Sequence, residues 1–464
     1  MIQLLRLCKP LYSLALTISF FGSAVAQTPR EFSLNDAINF ATQQNLNVKN
    51  TQLDALSAEA RIKEVKGLAL PQVNVGGTVT YNAIIQRFIF PAGGFGAPAD
   101  STGGSTDKNA VTAIPFGVKL QGNVSANVNQ LLFDASYKIG LKAASTYREL
   151  AQKNITASKI NVAEQVAKAY YGVLVSEERI KLLDLNISRV DTLLRETRAM
   201  NIQGFVEKID VNRLEVQLNN LKTERQNVKN LVDLSYYLLK FQMGLPIDAP
   251  IQLTDRIESY SQSDLDRAAV LDSAFDYGQR IEFSTLQTQI NLADLDLQSI
   301  AKQYYPRLTA AAAYGHNNGR NSFGDFWTTQ WFNSAAISVN LNIPIFDGFQ
   351  KRYAAQQRKI TVDKARQSGE LLKNSIDLQI RQATVMLSNN LQTLQNQKRN
   401  LDLAQEIVRV TRIKYKEGVG SNIEVLNAET SFRESQTNYF ASLLDYMITK
   451  VDLDKALGKL YTGQ

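Results

Sequence analysis

Apolar residues recur along the chain with two different periods, and the periods separate helical from extended segments. Val162, Val166, Ala169, Val173, Ser176, Ile180, Leu183, Ile187, Val190 and Leu194 step by four and three in alternation. That is the 3.5-residue repeat of a coiled-coil seam, interrupted by a polar residue at Ser176. Adding 214 to each number gives Ile376, Ile380, Ala383, Leu387, Asn390, Leu394, Gln397, Leu401, Ala404 and Val408, the same seam with the matching interruption at Asn390. The chain is therefore internally duplicated. No proline falls between Ala135 and Met200 or between Gly348 and Glu417, so both stretches predict unbroken helix, each reaching on the order of 100 Å at about 1.5 Å per residue.

Four shorter segments alternate with period two. Val73, Val75, Gly77, Val79 and Tyr81 interleave with Asn74, Gly76, Thr78, Thr80 and Asn82, and Val118, Leu120, Gly122, Val124, Ala126 and Val128 with Lys119, Gln121, Asn123, Ser125, Asn127 and Asn129. In the second half Leu308 to Tyr314 is an alanine-rich version, and Ile337, Val339, Leu341, Ile343 and Ile345 alternate with Ser338, Asn340, Asn342 and Pro344. This predicts strands at about 72–83, 117–130, 307–315 and 335–346, joined in pairs by loops over Ile84–Phe116 and His316–Ser334. One face is apolar and the other small and polar, which fits both a soluble sandwich and an outer-membrane barrel with a wet lumen. Four strands do not close a barrel, so in a membrane the chain has to oligomerise.

Landmarks keep the repeat offset to within a residue: Phe133-Asp134 with Phe346-Asp347, Gly204 with Gly418, Asp210 with Glu424, and Met243-Gly244-Leu245 with Leu457-Gly458-Lys459. The plan is a first repeat over residues 27–245 with a hairpin tip at 200–210, a linker over 246–275, and a second repeat over 276–464 with a tip at 415–424.

The N-terminus adds a compartment. Arg6 and Lys9 precede an apolar run from Leu11 to Phe21, and Ala24-Val25-Ala26 has the form of a signal-peptidase site, so residues 1–26 read as a signal peptide. Cys8 lies ahead of that run and not at the cleavage point, which disfavours a lipoprotein.

Composition then narrows the chemistry. With one cysteine and one histidine in 464 residues, cysteine-histidine metal sites, haem attachment and histidine-based triads are excluded, and we expect no enzyme, no cofactor and no metal. The net charge of +7 comes from 51 basic and 44 acidic residues spread along the chain, without the basic patch of a nucleic-acid binder. Gly93-Gly94-Phe95-Gly96 and Gly103-Gly104 lack the lysine-serine ending of a phosphate loop and read as flexible loop. His316 reads as a loop residue at the rim. Phe323, Phe326, Trp327, Trp331 and Phe332 fit either a membrane-interface anchor or a packed loop plug.

The segments NQLLFDAS (129–136), NIPIFDGF (342–349), LALPQVNVGG, QYYPRLTAAA, SLNDAINFATQQN, YKEGVGSNIEVLNAE (415–429) and DLDKALGKL resemble the TolC family of outer-membrane efflux proteins over essentially the whole mature chain. The resemblance implies a mainly α fold with a membrane β-barrel: a homotrimer in which each chain gives four strands to one twelve-stranded barrel and its helices to a periplasmic tunnel. It implies lipid around the barrel, and a periplasmic adaptor and an inner-membrane pump as partners. The expected function is a passive duct for drugs or other small molecules. An exit for type I protein secretion remains open beside it, as does a secreted coiled-coil structural protein.

It also implies an entrance. Glu424 falls where the family carries the first of two aspartates ringing the periplasmic mouth, and Asn427 falls where the second stands. Tyr415 and Asp210 match a tyrosine and an acid that help tie the tips closed, while Gly420 replaces the family's basic residue. On the residues alone, Glu424 and Asp210 are equally acids placed in a helix's first turn, where the dipole favours them.

Overall fold

A computed structural model describes residues 29–91, 111–257 and 275–461. The expected signal peptide, the glycine-rich stretch over 93–104 and most of the linker lie outside the described residues.

Two antiparallel helix hairpins dominate the molecule. The first is α3 (Ala135–Ile202) followed by α4 (Lys208–Met243), and the second is α7 (Gln350–Lys416) followed by α8 (Asn422–Ala456). Ahead of the first repeat's strands lie α1 (Leu34–Gln44) and α2 (Leu46–Gly67), and ahead of the second repeat's lies α5 (Ile281–Lys302). The α2 helix packs on α3, and α5 lies against both α3 and α7. Val162, Val166, Ala169, Val173, Ser176, Leu183, Val190 and Leu194 are buried, as are Ile376, Ile380, Ala383, Leu387, Leu401, Ala404 and Val408. The polar interruption at Asn390 is satisfied: its Nδ2 donates to Thr449 Oγ1 at 2.8 Å and to the Asp445 carbonyl at 3.4 Å. No described helix is long and apolar enough to cross a membrane.

The Phe-Asp turns start both long helices. Asp134 caps α3 by accepting from Ser136 N at 2.8 Å, and Asp347 accepts from Lys351 N at 3.1 Å, satisfying amides the helix cannot. The Lys351 amide, with the Lys351 ammonium beyond it, holds the Asp347 carboxyl below the usual carboxylate range.

The strands form one four-stranded antiparallel sheet in the order β2-β5-β7-β8, made of β2 (Gln72–Tyr81), β5 (Leu120–Phe133), β7 (Arg307–Arg320) and β8 (Phe332–Asn342). Register puts Val75, Ala126, Tyr314 and Ala335 side by side. One face therefore carries Val73, Val75, Val79, Val124, Ile337, Val339 and Leu341, which are exposed, and the other carries the amides and hydroxyls. Asn123 Nδ2 donates to Asn317 Oδ1 at 2.6 Å and Asn317 Nδ2 to Ser334 Oγ at 3.1 Å, a polar chain across three strands. The edge strands β2 and β8 each pair on one side only.

Three loop expectations change. The first loop carries a hairpin of its own, β3 (Arg87–Pro91) paired with β4 (Val111–Pro115). His316 belongs to β7, because pairing with β5 continues to Arg320; it stands opposite Val124 and makes an edge contact with Tyr314 at 5.3 Å. The aromatic cluster divides. Phe326, on the short helix α6 (Phe323–Thr328), is fully buried and packs with Trp331 over Gly122, where a Cβ would lie 2.5 Å from the Phe326 ring, while Phe323 and Trp327 stay exposed.

At the equator β1 (Arg30–Phe32) pairs in parallel with β6 (Ile251–Leu253), so the segment ahead of α1 is stitched to the segment that follows α4. Tyr170, 0% exposed, donates its hydroxyl there to the Phe32 carbonyl and Asp255, both at 3.0 Å.

Candidate functional site

The far ends of the hairpins, opposite the sheet, gather the residues that the sequence singles out. Each tip reverses at a glycine in the left-handed region, Gly204 at φ 79° after α3 and Gly418 at φ 73° after α7, a conformation costly for a side chain with a Cβ. Gly420 is held differently. Its N–H donates to the Lys414 carbonyl at 3.1 Å, and a Cβ there would lie 3.1 Å from both Lys414 Cβ and Tyr415 N. A side chain at this position would press on the Lys414–Tyr415 turn, and glycine stands where the family resemblance implies a basic residue.

Ser421 then caps α8, its Oγ accepting from Glu424 N at 3.3 Å. Glu424 and Asn427 both face solvent, three residues apart and so on one face of the helix. Asp210, in the first turn of α4, lies 3.5 Å from Arg213 Nη1, and its carbonyl accepts from Asn422 Nδ2 at 3.0 Å.

Tyr415 behaves otherwise than a surface tie. It is buried among Val211, Leu214 and Val425, and its hydroxyl lies 3.2 Å from Thr197 Oγ1. Tyr415 and Asp210 each have a partner of their own. Thr197 is fully buried beside the tyrosine, while Asp210 has Arg213 three residues on.

The structure adds links between hairpins that the sequence reading passed over. Lys416 pairs with Glu196 at 2.9 Å, Arg433 with Glu224 at 3.0 Å, and Asn186 Nδ2 donates to Gln436 Oε1 at 2.6 Å. Between these, Arg189 Nε stands 3.3 Å from Glu429 Oε1. A signal for the buried ones was available: Val425, Glu429, Phe432 and Gln436 step by four, three and four along α8, so Glu429 and Gln436 occupy seam positions. Burial raises the Glu429 carboxyl above the usual carboxylate range against the pull of Arg189 and Arg412. Among the described residues no cluster of histidine, cysteine, aspartate or glutamate is placed to hold a metal. This arrangement joins one hairpin to the other.

Residues 279–459 match the family model of the outer membrane efflux protein. The second half of the chain is similar to this efflux protein family. The outer membrane protein TolC of Vibrio cholerae serotype O1 is 20% identical over 336 residues, covering 72% of this chain and 76% of the relative. The alkaline protease secretion protein AprF of Pseudomonas aeruginosa is 20% identical, covering 69% and 66%. Among solved structures, CusC superposes with a TM-score of 0.69 at 14% identity over 91% of each chain, and at that identity the likeness concerns the fold. The efflux-family match falls in the second half of the chain, and the structural match extends over 91% of it.

Proposed function

We propose that the chain is the outer-membrane channel of a tripartite efflux system, a passive duct for drugs or other small molecules across the outer membrane and periplasm. The observation that carries the reading is the sheet: four antiparallel strands with an exposed apolar face, a polar face of amides and hydroxyls and two edges paired on one side only. In lipid such edges need partners, and copies of the same sheet supply them by pairing β2 of one chain with β8 of the next. Three copies give a twelve-stranded barrel with the hairpins continuing below it as a periplasmic tunnel. An adaptor and an inner-membrane pump then supply cargo and energy, since the duct itself makes and breaks no bond.

In this assembly Glu424 rings the periplasmic mouth, with Asn427 where a second ring would stand and Asp210 nearby. Tyr415 and Gly420 shape the loop that carries Glu424. The similarity to AprF supports the second reading, a type I protein secretion exit; both uses need the same duct.

Mass measurement of the detergent-extracted protein tests the architecture. A trimer that conducts in planar bilayers is expected. A conducting monomer, or release of the protein by osmotic shock without detergent, would overturn the reading and favour a secreted coiled-coil protein.

A further inference from the structure

We propose that Arg189 and Glu429 form a proton-responsive latch between the two helix hairpins, holding α8 against α3 more firmly as the surroundings acidify. The proposal rests on the duct reading, because the hairpins are taken to part when the mouth opens.

The links that span the hairpins differ in what parting does to them. Lys416–Glu196 and Arg433–Glu224 are exposed to between 27% and 50%, so water already screens them and separation changes their surroundings little. Thr197–Tyr415 and Asn186–Gln436 carry no charge. Glu429 alone of the described ion-paired carboxylates is nearly sealed from water, its side chain 4% exposed beside Arg189 at 23%.

The pair is also poorly satisfied. Glu429 Oε1 and Arg189 Nε, though 3.3 Å apart, have no hydrogen-bond partner and no water access. The guanidinium spends another N–H on Asn186 and lays its face over the Phe432 ring at 4.8 Å. Buried charge without full hydrogen bonding is held at a cost.

The charged groups around Glu429 come from each packed helix. They are Arg189 on α3 and Arg412 on α7, with Arg433 one turn along α8 directed to Glu224 on α4. Despite these cations the carboxyl sits above its ordinary range, burial being the largest cause. When the hairpins part, water reaches Glu429 and the carboxyl returns toward its ordinary value. The closed joint therefore binds a proton more readily than the open one, and acid favours the closed joint. Between the two acid constants the equilibrium shifts by at most about tenfold per chain for each pH unit.

The test is the open probability of the detergent-purified full-length protein in planar bilayers from about pH 8 to about pH 5. The wild type is expected to conduct less as pH falls. Glu429→Gln, isosteric and permanently uncharged, is expected to stay at the low acid-side level throughout, while Glu424→Gln keeps the wild-type slope. If Glu429→Gln does not assemble, the double variant Arg189→Leu/Glu429→Leu, which fills the joint without charge, is expected to lose the slope in its place. A wild-type slope retained in Glu429→Gln or in the double variant, a flat wild-type profile, or a slope abolished by Glu424→Gln instead would each overturn the latch and leave the duct standing. Assembled protein that conducts at no pH would overturn the duct reading itself.

Discussion

Single residues at the tips divide into those that face water and those that the tertiary structure has withdrawn from it. Glu424 and Asn427 share an exposed face, so their effect is electrostatic and local. Glu424→Gln is expected to reduce cation preference and weaken block by multivalent cations, and Asn427→Asp to strengthen both, as rings of carboxylates do in channels; reversal potentials in a salt gradient measure the change. Tyr415 works through packing. Tyr415→Phe keeps the ring but leaves the fully buried Thr197 hydroxyl without its partner at 3.2 Å, an expected loss of about 1–3 kcal/mol, read as a lower melting temperature with unchanged ion selectivity. The exposed acid was legible in sequence because it sits in a cap and a recognisable motif. The burial of Tyr415 was not, because it depends on where α3 lies.

At the level of elements, the seams were the most legible feature, since a strict alternation of four and three leaves one face to bury. Val190→Asp and Leu387→Asp would each place a carboxylate at a buried seam position and are expected to cost several kcal/mol, on the order of the burial of an unpaired polar group; loss of assembled protein in detergent is the readout. The equatorial end of the α3–α8 contact is joined by charge instead. Glu164 lies 2.7 Å from Lys168 and 2.6 Å from Lys455, and Lys168 lies 2.5 Å from Asp452. Burial pushes the Glu164 carboxyl up, but the hydrogen bonds from Lys168 and Lys455 outweigh it and hold it below the usual range. A depressed acid stabilises the folded form above its unfolded value and ceases to as pH falls through the folded one. Thermal melts are therefore expected to show acid destabilisation below the ordinary carboxylate range that Glu164→Gln reduces. This sign is opposite to that of Glu429, on the same pair of helices.

The molecule as a whole presents two different linings. The polar face of the described four-stranded sheet carries asparagine, glutamine, serine and threonine, and its one ionisable side chain, Arg307, stands at the end next to Asp134, whereas the helical tips carry carboxylates. In the proposed barrel, charge introduced at mid-strand meets no native charge. Asn127→Asp and Asn127→Lys are thus expected to shift the reversal potential in opposite directions by comparable amounts. A shift from neither would place that face away from the conducting path.

The sequence by itself determined the periods, and with them the helices, the strands, the duplication and the alternation of faces, because these follow from local geometry: side chains three or four apart share a helix face, and side chains two apart share a strand face. It also marked Glu424, Asn427 and Gly420 through a contiguous motif. Tertiary structure alone decided the partners. Thr197 meets Tyr415, Glu196 meets Lys416 and Arg189 meets Glu429 across more than 200 residues of chain, and only the packing of one hairpin on the other brings them within reach. The same packing turns Glu429 from an ordinary helical acid into a sealed one, since water is excluded by the neighbouring helices and not by anything adjacent to it in the chain.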